Sequence, residues 1–426
     1  MNWFSALFRI LRIPDLRSRV LFVLGVFLLF RMMANIPIPG IDAERLREFF
    51  ANNQLFGLLN LFTGGAMDNL SIVMLGLGPY ITAVIVMQLL TMIFPALERM
   101  YKEEGDQGKQ RFQQYGRLLT IPFAIVQGYT FLMLLGRQGV LPAFTFVDTF
   151  LALSVVAAGT VFLMWLGELI SEKGIGNGVS LLIFAGIVAG FPQNVRQIAF
   201  GFDVAQLFSY LAFFLLALTI IAGVVFITQA RRNIPVSYAK RVRGNKMFGG
   251  ASTYIPLSVN PAGVIPIIFA LALLTFPGMI ASFFAGAGGA LGSIALTVQN
   301  FLMNPWVMGI LYFVLVALFT FFYTAVTFDP KAIASNLQKM GGFVPGVRPG
   351  ASTATFISHI LNRILLIGAT FLGTVAVLPS VVQGITGVQA FQFLIGGTAV
   401  LIIVSVVLET LRQLRAQLQM REYDTF

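Results

Sequence analysis

The chain has 426 residues, 57% of them hydrophobic and 11% charged, with a formal net charge of +11; soluble domains carry charge on about a quarter of their residues, so this composition belongs in a bilayer. It contains no cysteine and one histidine, His359, which excludes a disulfide scaffold, a thiolate metal site and a cysteine nucleophile and leaves little for zinc or imidazole chemistry. The positive charge would suggest nucleic acid in a soluble protein, but in a membrane protein Lys and Arg gather first in the cytoplasmic loops.

A hydrocarbon core of roughly 30 Å needs about 20 mainly apolar helical residues. Ten runs qualify in chain order: Val20 to Ile36, Leu70 to Phe94, Leu118 to Leu135, Phe150 to Leu169, Val179 to Phe191, Leu207 to Thr228, Val259 to Phe284, Pro305 to Phe328, Ile360 to Leu378 and Phe391 to Leu408. The fifth is short and follows the glycine-rich string GIGNGVS, so it either extends through its polar flank or is broken at membrane depth. The N-terminal stretch has the basic flank and apolar run of a secretory signal, but the run continues through Arg31 into IPIPG with no small-residue cleavage site, which predicts a retained first span. Ten spans put both termini on one side, where 23 of the 28 Lys and Arg residues then fall. That bias predicts cytoplasmic termini.

Five spans followed by five is the arithmetic of an inverted repeat, because an odd number per half makes the second half enter from the opposite side. In the second span of each half a glycine-proline break precedes an isoleucine, LGLGPYI from Leu75 to Ile81 and AGVIPII from Ala262 to Ile268. One such break reflects the abundance of Gly and Pro in membrane helices; two at matching positions point to a functional axis. Between spans one and two, Leu55 to Met67 is apolar but too short to cross, which predicts an interfacial or re-entrant segment.

The spans are nearly free of ionisable groups. Arg31 can snorkel at an outer end, Glu168 and Arg363 sit at cytoplasmic ends, and Asp329 follows span eight, so no relay for a coupling ion is laid out. Gln88 and Gln127 suit interhelical hydrogen bonds. No G-x-x-x-x-G-K-[ST] occurs, and GIGNGVS lacks the strand context of a phosphate loop. An inverted-repeat secondary transporter would share the span count and broken helices but would need a polar midplane site. An intramembrane enzyme would need a nucleophile with a base, or paired carboxylates, and His359 at a helix end makes a poor base. The residues imply no cofactor and no metal, and energy supplied by a partner.

Two long cytoplasmic loops remain. Arg231 to Tyr254 carries six basic residues and no acidic one, and Asp329 to Ser358 has GGFVPGVRPG at its centre. Orientation alone explains much of the charge, yet loops this long with few apolar anchors suggest protruding fingers suited to RNA phosphates or an acidic protein surface.

Six strings together carry a resemblance: IPIPGID, NLFTGGAMDNLSIVMLGLGPYI, GIGNGVSLLIFAGIVAG, NPAGVIPIIFA, GGFVPGVRPG and GGTAVLIIVSVVLETLRQ. From about Arg9 to Glu422 the chain resembles the SecY/Sec61-alpha family, the channel-forming subunits of the Sec protein translocase. The resemblance implies an all-α polytopic membrane protein with ten transmembrane helices in two inverted five-helix halves around a central hourglass pore. It divides the chain into a cytoplasmic segment 1–19, an N-terminal half 20–191, an external connector 192–206, a C-terminal half 207–408 with cytoplasmic loops about 229–258 and 329–358, and a cytoplasmic tail 409–426. The implied function is a protein-conducting channel of the general secretory pathway, with no enzymatic activity of its own, in the bacterial cytoplasmic membrane.

Motif by motif, the resemblance implies an apolar pore ring of Ile81, Ile85, Ile183, Ile187, Ile268 and Ile402. By themselves these isoleucines would be read as lipid-facing or core packing. A plug over about 58–70 is implied, with Leu58, Leu59, Asn60, Leu61, Phe62, Thr63, Gly64 and Gly65 at its heart. Pro79, Gln88, Gln127 and Pro266 fall at the lateral gate and its hinges, between span two with its neighbour and spans seven and eight. Lys240, Arg241, Arg243, Lys246 and Arg348 are the implied docking residues for the SecA motor or the ribosome. The implied partners are the small SecE and SecG subunits, SecA, the ribosome, SecDF and YidC, signal sequences, unfolded preproteins and membrane lipid. Two features depart from the family pattern: Asn245 stands where many bacterial relatives have a second basic residue, and the longer basic tail common in the family does not follow REYDTF.

Overall fold

The structure, a computed structural model, describes residues 13–38, 63, 66–67, 70–137, 141, 145–200, 207–238, 241–243, 246–248, 252–284, 289–386 and 397–424. Ten helices among them coincide with the ten expected spans: α1 (Pro14–Ala34), α2 (Gly78–Ile93), α4 (Gly105–Arg137), α5 (Phe146–Lys173), α6 (Gly178–Phe200), α7 (Leu207–Gln229), α8 (Ile265–Phe284), α10 (Pro305–Thr327), α12 (Ala351–Thr386) and α13 (Gly397–Asp424). Three shorter helices lie between them, α3 (Pro95–Lys102), α9 (Ala290–Met303) and α11 (Pro330–Lys339). Parts of α4, α5, α12 and the α10–α11 stretch are long and apolar enough by themselves to cross a bilayer. Helices α2 and α3 meet that measure only taken as a pair, bent by 109° at Phe94, just before Pro95, as a broken span or a re-entrant turn is.

The helices depart from the expected spans at both breaks. Residues 70–77 form turns rather than helix, and α2 starts only at Gly78. The cause is local: Ile38 donates its N–H to Leu70 O (3.0 Å), Ile72 donates to Ile36 O (3.1 Å), and Ser71 bridges Pro37, so the chain is tied to the end of α1 before it can coil. Pro79 then sits in the first turn, where its missing N–H costs no hydrogen bond. Span seven repeats the device, with turns up to Val264 and α8 opening at Ile265 and Pro266. In both halves a glycine of positive φ stands three residues before the proline, Gly76 (φ 55°) before Pro79 and Gly263 (φ 62°) before Pro266. The left-handed backbone that glycine permits turns the chain into each helix. This shared device is the geometric counterpart of the inverted repeat.

GIGNGVS is a packing corner. A β-carbon on Gly178 would collide with the carbonyl oxygen of Gly167, so only glycine lets the start of α6 lie directly on α5. Ser171 Oγ accepts from Gly178 N–H (2.8 Å) and Asn177 Oδ1 accepts from Ser180 N–H (3.1 Å), satisfying orphan donors of the first turn of α6.

The described parts of the two long basic loops are more ordered than fingers with few anchors. β1 (Arg231–Tyr238) pairs antiparallel with β4 (Ser252–Ser258), and at Ser237 and Tyr238 also with β5 (Gly342–Phe343), so strands of both loops form one three-stranded sheet in the order β4-β1-β5. Strands β2 (Arg241–Arg243) and β3 (Lys246–Phe248) form a separate hairpin. The apolar anchors that the loops' composition concealed are Ile234, Val236, Leu257 and Val344, buried against Leu337 of α11 and Ile357 of α12. At the membrane end Arg412 Nη2 donates to Thr228 O (2.6 Å), joining α13 to the last turn of α7.

Candidate functional site

The six isoleucines come from four helices, and five of them meet in or against one cluster. Ile183 and Ile187 of α6, Ile268 of α8 and Ile402 of α13 are buried in a single cluster, with Ile81 of α2 packed against it. Ile85, one turn along α2, is buried in the neighbouring cluster of the C-terminal half, and Ile81 touches both. None of the six is exposed, and Ile402 has no accessible surface. The i, i+4 spacing of Ile81 with Ile85 and of Ile183 with Ile187 places each pair on one helix face, which is why two helices can each contribute two side chains. The clusters lie where α2 and α6 of the first half meet α8 and α13 of the second.

The far wall of the cluster includes Val23, Val26 and Phe30 of α1, Leu163, Leu166 and Ile170 of α5, and Ala66, Val73 and Leu77 around the turns before α2. Ala66, fully buried, brings the end of the expected plug segment into the same cluster as the isoleucines. Its backbone is held by turns in which Ser71 N–H donates to Ala66 O (2.9 Å). Thr63 is buried, and its Cγ2 lies 3.0 Å from where a β-carbon on Gly76 would stand. Leu58, Leu59, Asn60, Leu61, Phe62, Gly64 and Gly65 lie outside the described residues.

Of the expected gate residues, Pro79 and Gln88 lie on α2, Gln127 on α4 and Pro266 on α8. α8 packs against both α2 and α4, so the two halves are in contact along this line. Pro79 is buried in the first turn of α2. Gln127 of α4 is buried and its Nε2 donates to Thr82 Oγ1 of α2 at 3.3 Å, an interhelical hydrogen bond of the kind expected of it. Gln88 Oε1 is buried and accepts no hydrogen bond among the described residues. Beneath the seam, a cleft of about 1020 Å³ opens between α3, α11 and the start of α12, lined by Glu98, Lys102, Asp329 and His359 among others. Asp329 is occupied as the N-cap of α11, its Oδ1 accepting from Lys331 N–H (2.9 Å) and Ala332 N–H (3.2 Å).

Of the basic residues, Arg348 is exposed in the turn after β5, between Gly346 (φ 83°) and Gly350 (φ 98°), and its carbonyl accepts from Thr353 Oγ1 (2.9 Å). Arg241 and Arg243 lie on β2 and Lys246 on β3, with Arg243 and Lys246 paired across the hairpin. Lys240 falls outside the described residues. Ala66 falls inside the expected plug range without having been singled out, its small apolar side chain giving no signal of its own, and the partner of Glu168 was missed: Arg117 of α4 donates to it at 2.6 Å.

The SecY family signature matches residues 71–411. Protein translocase subunit SecY of Streptomyces coelicolor is 42% identical over 441 residues, covering 99% of both chains. SecY of Thermus thermophilus is 43% identical over 437 residues, covering 99% of this chain and 97% of that one. Among solved structures, a protein-conducting channel superposes with a TM-score of 0.64 at 21% identity, covering 93% of this chain and 91% of that chain. Sec61 from a canine ribosome-channel complex superposes at 0.61, with the same coverage and identity. The latter two establish the fold, the full-length relatives the lineage: the chain belongs to the SecY family of protein translocase subunits, built on the fold of a protein-conducting channel.

Proposed function

We propose that the chain passes unfolded preproteins across the bacterial cytoplasmic membrane and releases signal sequences and transmembrane segments sideways into lipid. In this reading Ile81, Ile85, Ile183, Ile187, Ile268 and Ile402 form the collar that holds back ions, and residues 58–70 form the plug. The convergence of these isoleucines from both halves carries the proposal. A constriction without polar atoms gates by dewetting and offers no hydrogen bond to which a sliding polypeptide could stick. The seam of α2 and α4 with α8 is the sideways exit, with the Gly-x-x-Pro turns at Pro79 and Pro266 as its hinges. A segment exposed there compares water with lipid. Each Leu, Ile, Phe or Val gains about 0.3 to 0.6 kcal/mol at a helix centre, so a core of about 10 favours lipid by roughly 3 to 6 kcal/mol.

Both termini are cytoplasmic in this reading, which the Lys and Arg distribution supports. The exposed Arg348 and the basic β2–β3 hairpin dock the SecA motor or ribosomal RNA, and the chain itself does no chemistry. SecE and SecG are its membrane subunits, with SecDF and YidC as further partners. The test is the resting ion conductance of vesicles holding the channel with Ile187→Asn, Ile268→Asn or Ile402→Asn. Raised conductance is expected, and unchanged conductance for all three variants overturns the collar.

A further inference from the structure

Helix α9, in the external connection between α8 and α10, carries three different faces and no charged residue. At 100° per residue, the exposed polar residues Ser293, Thr297 and Asn300 form one stripe and the exposed apolar residues Ile294, Val298 and Phe301 form the stripe beside it. On the far side of the apolar stripe Ala295 and Leu302 are buried against the protein, and α9 packs on both α8 and α10. Leu296 lies across the polar stripe and belongs to neither exposed set. Water on all of the open side would leave Ile294, which is 61% exposed, and Phe301, at 58%, hydrated without a partner. An arrangement of protein, hydrocarbon and water around one helix is what an interfacial helix requires.

The neighbouring helix supplies the level. Along α10, Trp306, Ile310, Val314 and Leu318 recur every four residues and are all exposed, a stripe suited to lipid. Trp306 stands at its outer end, the position that Trp favours at a membrane boundary, and α9 ends at Met303, three residues before it. The apolar stripe of α9 therefore ends at Phe301, five residues before the Trp306 that opens the exposed apolar stripe of α10.

We propose that α9 lies in the outer headgroup region of the bilayer with Ile294, Val298 and Phe301 in the acyl chains, a lipid-floated brace across the outer ends of α8 and α10. The occupant of the apolar face is lipid, and the brace links the level of the membrane surface to the gate helix α8. The placement stands on the membrane reading of the chain and does not depend on the pore collar.

Because the chain has no cysteine, single-site nitroxide labelling needs no background changes. The full chain carrying Ile294→Cys, Val298→Cys, Phe301→Cys, Thr297→Cys or Asn300→Cys is labelled and reconstituted into phosphatidylethanolamine–phosphatidylglycerol vesicles. Collision with oxygen, which concentrates in lipid, is then compared with collision with a water-soluble nickel chelate. Oxygen should dominate several-fold at 294, 298 and 301, and nickel at 297 and 300. Equal nickel access at all five sites places the helix in water and overturns the proposal. So does low access to both reagents at 294, 298 and 301, which means that a subunit or second copy covers that face. All five positions are exposed, so the label replaces no core contact; helical content read on each labelled variant identifies any that misfolds, and the remaining members of each stripe still decide.

Discussion

Arg117 Nε donates to Glu168 Oε1 at 2.6 Å, tying α4 to α5. Both side chains keep partial exposure, 42% and 26%, so the pair is worth more than a free surface ion pair but less than a fully buried one. α4 also carries Gln127, which bonds Thr82 of α2, so the ion pair steadies a helix on which both α2 and α8 pack.

Breaking it has a predicted cost. Arg117→Ala leaves Glu168 without its donor and should lower the stability of the purified chain by about 1 to 3 kcal/mol, the range for a hydrogen bond to a charged group. The double exchange R117E/E168R should recover at least half of that loss. Thermal denaturation of the four combinations measures the coupling, and a double exchange no better than the worse single variant removes the role.

The collar positions should differ among themselves in their cost to stability. Ile402 is fully buried while Ile81 is only partly so. Ile402→Ala should therefore destabilise by about 2 to 4 kcal/mol, with a cavity term that partial exposure spares Ile81→Ala. Equal melting temperatures for the two variants would place Ile402 outside the packed cluster.

The paired turns offer a second contrast. A side chain at Gly263 meets no atom within 4 Å, whereas one at Gly76 meets Thr63 Cγ2 at 3.0 Å. Gly263→Ala should cost only the left-handed backbone penalty, about 1 to 2 kcal/mol, while Gly76→Ala should add displacement of Thr63. Resting conductance separates them, with an increase expected for Gly76→Ala alone.

Arg348→Glu should reduce motor-driven or ribosome-driven translocation at least several-fold while leaving membrane insertion of the channel and its resting conductance unchanged. The exposed side chain makes no packing contribution whose loss could mimic the effect. Preprotein protection assays with vesicles measure this, and normal translocation removes the docking role.

Much of the architecture was legible without coordinates. Apolar runs of membrane length depend on composition within one segment, so ten of the helices fall where the spans were expected. Proline and glycine act locally, so the breaks at Pro79 and Pro266 were visible, although turns tied to α1 delay α2 to Gly78 in a way that no local rule announces. The family motifs narrowed the choice between a channel and a secondary transporter, because hydropathy and span count are common to both.

What the chain order could not disclose was which faces meet. In a sequence that is 57% hydrophobic, an isoleucine on a membrane helix satisfies lipid and protein interior equally well, and nothing in its neighbours marks the side it chooses. Packing of α2, α6, α8 and α13 decided that five of them meet in or against one cluster with Ile85 in the next, that Ala66 joins the first, and that Arg117 answers Glu168 across 51 residues of chain. The same holds for the sheet shared by the two long loops, since backbone pairing between strands about a hundred residues apart requires both ends to be brought together first by the helices that carry them.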